Sequence, residues 1–477
     1  MAPLAGLSPA PTGGLPGERW ARGISPKIQP RGVSVMTRAE PLNLSGWQPA
    51  IDIVPYRLEN GLHLLVVPDE SLPVVSLQLH YQVGSRNELP GITGISHLFE
   101  HLMFRGTKEL GPEEFARLLQ AKGGEINAFT TKDHTSYFEN LPKEHLELAL
   151  SLEVDRLANL KLDEENFQTE KEVVISERKL RSVDSPFGLV EEQLYSLAYT
   201  QHPYQWPVIG RAQDLRRLTL ADCLAYYRTY YHPGNLTVVI AGDVRPEEAR
   251  ELVEKHFGSL KSPGSPAPLE VREPPQRGER RSVFKKVSQV EAFFAGFHVV
   301  GLDHPDIYPL TLLAVVLSGG RASRLYQEFV RPGRAADLEA YLAPPPWSAR
   351  DPDLFLIRAV AAPGTDLAGL EADLWSSLER LKTEGLQEAE LARAKKILKA
   401  QTVQGLAQNF YRGLMVGLFY LKTGDAQRIN GLLQYYEQVT RDDLIRVARN
   451  YLREDNRSVV ILKPVSAEES LALGELA

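Results

Sequence analysis

Cysteine is almost missing from this sequence. Cys223 stands alone, so the chain forms no internal disulfide, and any bound metal must be held by His, Asp or Glu. No uninterrupted apolar run approaches the roughly 18 residues that a spanning helix needs, which excludes a helical membrane span. A basic excess is missing too. The net charge is −7 and Lys and Arg are scattered, so nothing resembles the basic stripe that neutralises phosphates, and nucleic acid is excluded as an expected partner. Residues 1–40 are short of acids. They hold Glu18 and Glu40 against Arg19, Arg22, Lys27, Arg31 and Arg38, are rich in Pro and Gly, and have no secretory-type apolar core. The expectation for residues 1–50 is a disordered or processed tail, with a start at Met36 or an organelle transit segment as alternatives.

What remains has the composition of a globular protein, 43% hydrophobic and 24% charged, and 477 residues exceed what one core usually serves. At least two domains are expected. "YRLENGLHLLVVPD" reads as two strands around the Asn60-Gly61 turn, and "VVSLQLHYQV" as a further strand with alternating faces. "GPEEFARLLQAKGG" reads as a helix with Pro112 in its first turn. Longer amphipathic helices are expected from Pro142 and from Asp163, the latter running through "ERKLRSV", with strand-like "GGEINAFTTKDHTSYFENL" before them.

The chain also repeats itself. Thr219, Asp222, Tyr230, Asn235, Val238, Val239 and Ile240 recur 221 residues later as Thr440, Asp443, Tyr451, Asn456, Val459, Val460 and Ile461. Both copies read as a capped helix, a polar turn and a buried strand, which implies a duplicated domain. The fold class expected is α+β, with two homologous domains, each an antiparallel-rich mixed sheet packed against several helices. The first spans 51–260, a Pro-rich linker 261–281, the second 282–466, and a tail 467–477. The offset carries His97, Glu100 and His101 to Ser318, Arg321 and Ala322, so chemistry is expected in the first half only.

The chemistry-bearing stretch is "GISHLFEHLMFRGT". Residues four apart share a helical face, so His97 and His101 can present two imidazoles to one zinc ion, with Glu100 on the same side to act on a water. The H-x-x-E-H order inverts the commoner zincin motif and keeps its parts on one face. A catalytic zinc takes three protein ligands and keeps one position open. The helix "QTEKEVVISERK" offers Glu170 and Glu177, one face and about 10 Å apart. One would ligate, while the other could orient a ligand histidine. Glu172 points away.

This pattern resembles the pitrilysin family of inverzincin metallopeptidases, over roughly Ile51 to Pro464. In that family the third ligand lies about 76 residues beyond the second histidine, which falls on Glu177, with a second glutamate seven residues earlier, Glu170. The resemblance implies one zinc per chain on His97, His101 and Glu177, Glu100 as general base, and Glu170 as the supporting acid. It implies that Asn127, Ala128, Phe129 and Thr130 form an edge strand onto which an extended peptide adds, giving a zinc endopeptidase for small or unfolded peptides. A non-catalytic structural or peptide-binding subunit of the same fold is the alternative.

Many members carry Arg and, seven residues later, Tyr in a non-catalytic half. Here alignment on "SRLYQ" puts Val330 and Asp337 at those places, while Arg334 and Tyr341 have the spacing four residues late. The expected assembly is therefore a chamber closed by a paralogous subunit carrying that pair, with a homodimer as the alternative. The compartment expected is the cytoplasm, with an organelle or the periplasm left open.

Overall fold

The computed structural model describes residues 46–466 and residue 469. The expected tail at 1–50 lies outside them up to residue 45, as does nearly all of 467–477.

Among the described residues there are two sheets. The first holds β1 (Val54–Arg57), β2 (His63–Pro68), β3 (Val74–Tyr81), β4 (Glu125–Thr130), β5 (Thr135–Pro142) and β6 (Leu236–Gly242), in the order β1-β2-β6-β3-β5-β4. The second holds β7 (Arg280–Val287), β8 (Ala292–His298), β9 (Ala335–Tyr341), β10 (Leu354–Ala361) and β11 (Arg457–Val465), in the order β7-β11-β8-β10-β9. Without β1 the two orders superpose. In each sheet one parallel pair, β2 with β6 or β7 with β11, sits among antiparallel ones. The fold is α+β and duplicated, as the repeat implies. The repeated segment is the Leu220–Tyr230 helix leading into β6 and the Arg441–Tyr451 helix leading into β11. Each helix starts with the same capping box, Thr219 with Asp222 and Thr440 with Asp443.

The first sheet is covered on both faces. Leu64, Val66, Leu77, Leu79, Tyr137, Val238 and Ile240 face the helices of the first half, while Leu65, Val67, Val239 and Ala241 face the other way. This is why β2 and β6 read as near-continuous apolar runs, whereas β3 keeps its alternating pattern although both faces are covered, with Ser76, Gln78 and His80 buried on the second. The second cover is not local. The Asn409–Thr423 helix, from the second half, lies on β6 and β3, and the Gly188–Ala198 helix, from the first half, lies on β11, β8 and β7. The halves therefore exchange one helix each, and Val190, Leu194 and Ala198 share a core with Ala292, Phe294 and Val460. Gly413 and Gly417 permit the close approach on the first sheet, since a Cβ at Gly417 would stand 2.7 Å from His80 Nε2.

Local details depart from expectation in three places. The helix near Pro112 starts only at Glu114, whose carboxylate accepts the Gly111 N–H at 2.7 Å, so Pro112 lies ahead of it. The helix expected from Pro142 opens as a 3-10 turn, Lys143–His145, before Leu146–Asn159. Asp163 does cap Glu164–Arg178, accepting the Asn166 N–H at 2.9 Å, but the continuation Lys179–Val183 widens into a π turn.

Candidate metal centre

The helix Ile95–Leu102 buries Ile95, Leu98, Phe99 and Leu102 in the first-half core, which turns His97, Glu100 and His101 to its other side. Its start is built tightly. Gly94 takes a φ of 90° and its Cα side abuts Gly210, where a side chain would meet backbone within 3 Å. The carboxylate of the buried Glu88 accepts the N–H groups of Gly94 at 2.8 Å and Ser96 at 2.9 Å. Burial pushes the Glu88 carboxyl up to about 8 against the pull of those amides, with Asp214 adding to the rise.

The Glu164–Arg178 helix packs across this one and delivers two carboxylates. Glu177 Oε2 lies 3.3 Å from His101 Nε2 and 3.7 Å from His97 Nε2. One ligand atom from each of His97, His101 and Glu177 falls within 4.8 Å of the others, the one such cluster among the described residues. Glu170 does not join it. Its Oε2 meets the opposite nitrogen of His101, Nδ1, at 3.1 Å, and its other oxygen pairs with Arg105. Seven residues on one helical face thus place one carboxylate at each nitrogen of a single imidazole.

The electrostatics favour a cation. Burial holds the His97 imidazole below its ordinary range, with the neighbouring His101 adding to that effect. For His101 burial also pulls down, but the facing carboxylates of Glu170 and Glu177 outweigh it and lift the ring to about 9. Glu170 and Glu177 are held below the usual carboxylate range. Burial opposes this, and His101 with Arg105 on one side and the two histidines with Arg181 on the other prevail. Arg181 pairs with Glu177 Oε1 at 2.7 Å, leaving Oε2 buried and without a hydrogen-bond partner. That orphaned oxygen faces both imidazole Nε2 atoms. A divalent ion would satisfy it, and two histidines plus one carboxylate are a donor set suited to zinc with a position left open.

Glu100 leaves the same helix toward β4, where it accepts the Thr130 hydroxyl at 2.6 Å. β4 is the edge strand of its sheet, paired on one side only. Its residues divide. Ile126 and Ala128 pack on the metal-helix side and Thr130 reaches Glu100, whereas Phe129 rests on Leu414 and Leu418 of the exchanged helix. Asn127 Oδ1 accepts the N–H of Ala128 at 2.8 Å.

In the second half the corresponding positions hold no ligands. Ser318 ends the Ile307–Ser318 helix and donates to the Ala340 carbonyl at 2.7 Å. Arg334 pairs with Asp373 beside β9, and Asp337 pairs with Arg358 at 2.9 Å.

The N-terminal half matches the model for insulinase (peptidase family M16) over residues 64–211, and residues 217–398 match the peptidase M16 inactive domain. A zinc protease, PqqE, of Helicobacter pylori is 34% identical over 85% of this chain and 92% of its own length. The chain belongs to the M16 peptidase family. This is the pitrilysin-type group that the motif resembles. An uncharacterized zinc protease of Bacillus subtilis, YmxG, is 27% identical over 84% of this M16 chain and 96% of itself. The crystal structure of a protease from Helicobacter pylori superposes with a TM-score of 0.83 at 32% identity, over 87% of this chain and all of that one. A putative M16-like peptidase from Alicyclobacillus acidocaldarius, 24% identical with a TM-score of 0.75 over 88% of this chain and 100% of its own, shares the fold.

Four features of the site escaped the sequence reading: Arg105, Arg181, Glu88 and the Thr130–Glu100 hydrogen bond. Arg105 and Arg181 each stand four residues after a site residue, a spacing that was visible. Glu88 and the Thr130 contact join segments with no sequence pattern between them.

Proposed function

We propose that this M16 chain is a zinc-dependent endopeptidase that cleaves small or unfolded peptides inside a chamber made by two two-domain subunits. The observation that carries the reading is the convergence of His97, His101 and Glu177 from two helices around an orphaned carboxylate oxygen, with Glu100 beside them. His97, His101 and Glu177 would hold one zinc, which when bound supplies a polarised water and a charge to meet the developing oxyanion. Glu100 accepts a proton at its carboxylate and returns it to the leaving amine. Glu170 fixes the His101 ring through Nδ1, so that Nε2 stays presented toward Glu177.

The free edge of β4, residues Asn127, Ala128, Phe129 and Thr130, receives the peptide by main-chain hydrogen bonding, which asks for a locally unfolded substrate rather than a particular sequence. Among the described residues no helix is long and apolar enough to cross a membrane. The partner proposed is a paralogue carrying the Arg and Tyr pair, with a second copy of this chain as the alternative, in the cytoplasm.

The test is metal analysis of the purified chain together with mass-spectrometric mapping of products from an unstructured peptide, with and without the paralogue. Stoichiometric zinc and discrete cleavage products are expected, and chelation should abolish them. Glu100→Gln should retain zinc while kcat falls about 10²- to 10⁴-fold. Undiminished cleavage by that variant would refute the assigned base. Peptide binding without products in the wild-type assembly would favour the non-catalytic alternative.

A further inference from the structure

A general base on a glutamate has a difficulty of its own. Three side-chain torsions separate the carboxylate from the helix, and holding them in one arrangement costs rotamer freedom. Something must restrict Glu100 if it is to act repeatedly in one geometry. The only hydrogen bond it receives among those described comes from Thr130, at 2.6 Å, a charge-assisted contact of the stronger kind.

Thr130 is well suited to hold another group because it is itself held. A β-branched side chain in a strand has few rotamers. Its backbone is in register with Thr135, whose own hydroxyl donates to the Val83 carbonyl at 2.9 Å. Directly after Thr130 the β4–β5 turn is clamped to the second half of the chain. Lys132 reaches Asp353 at 2.9 Å and Asp133 accepts the Arg350 N–H at 2.9 Å, while Tyr204 of the first half donates its hydroxyl to Asp133 at 2.5 Å. The strand that carries Thr130 is therefore fixed from both sides of the molecule, and its free edge is the one assigned above to the peptide.

We propose that Thr130 is the positioning residue for Glu100: its hydroxyl pins one carboxylate oxygen and leaves the other to take the proton. This inference rests on the peptidase reading. It assigns Thr130 a role distinct from pairing with the substrate, since strand addition uses the main chain and the side chain is already committed to Glu100. It also makes one strand responsible for both the peptide and the base, so that the two keep a fixed relation.

Thr130→Val preserves shape and strand preference and removes only the hydroxyl. In the zinc-loaded assembly kcat should fall about 10- to 100-fold while KM stays within about threefold, because a misplaced catalytic group forfeits rate rather than binding. Thr130→Ser, which restores the donor, should recover kcat to within about threefold. Zinc content and melting temperature should match wild type in both variants. A second measurement separates positioning from binding: the Kd of an uncleaved peptide should be the same, within about threefold, for Glu100→Gln and for Glu100→Gln combined with Thr130→Val. A Thr130→Val variant of near-normal kcat overturns the inference, and so does a serine variant as slow as the valine one. A peptide Kd that weakens in the double variant overturns it in favour of a substrate contact. An inactive wild-type assembly instead defeats the peptidase reading, and this inference with it.

Discussion

Glu170→Gln is the perturbation that most directly tests how the two helices divide their labour. In the structure Glu170 touches His101 only through Nδ1, at 3.1 Å, while Glu177 faces both Nε2 atoms. The substitution keeps the shape of the side chain and a hydrogen-bonding group but removes the charge that polarises the imidazole and pairs with Arg105. Loss of such a supporting partner typically weakens metal binding about 10- to 100-fold, which corresponds to roughly 1.4–2.7 kcal/mol. Glu177→Gln removes a proposed direct ligand and should weaken binding by well over that amount. The assay is competition for zinc against a chromophoric chelator at fixed pH, with Glu172→Gln, on the exposed face of the same helix, as the control that leaves affinity unchanged. Equal losses in Glu170→Gln and Glu177→Gln would refute the distinction between ligand and support. A Glu170→Gln variant that binds zinc as tightly as wild type would refute the role of the Nδ1 contact.

The fold carries its own expectations. Gly417→Ala would drive a methyl to 2.7 Å from His80 Nε2 and 3.1 Å from Val239; overpacking of this kind costs about 1–3 kcal/mol and should lower the melting temperature. Gly431→Ala, with its nearest neighbour at 3.4 Å in the Arg428–Gln438 helix, should be neutral or stabilising by about 0.5–1 kcal/mol in the same measurement. His80 is fully enclosed against the exchanged helix, and burial lowers its imidazole to about 3. The unfolded chain therefore binds a proton there that the folded chain refuses. The stability this confers is complete above pH ~6.5 and is lost as pH falls toward ~3, at about 1.4 kcal/mol per pH unit. Denaturation followed across that window should show the slope reduced by one proton in His80→Asn, and an unchanged slope would contradict it.

The grouping of residues in the candidate site was legible because helical geometry converts spacing into a shared face without reference to the rest of the chain. His97 and His101, four apart, and Glu170 and Glu177, seven apart, each define a face through backbone hydrogen bonds alone. The duplication was legible for a related reason. Two capped helices entering two buried strands require the same residue types, and Thr219 with Asp222 repeats as Thr440 with Asp443. Less was readable at element ends, where Pro112 and the Lys179–Val183 turn depended on neighbours rather than on propensity.

The local order of residues thus determined which side chains share a helix face and that the two halves follow one plan. Helix spacing left Glu170 and Glu177 open and the family spacing pointed to Glu177; only the packed chain sets Glu177 against both imidazole Nε2 atoms, brings Thr130 to Glu100, and has each half borrow a helix from the other. Those outcomes depend on contacts between segments tens to hundreds of residues apart. The sequence carries the groups that make such contacts, but the choice among them is made by the close packing of a shared core, which no short stretch of residues contains.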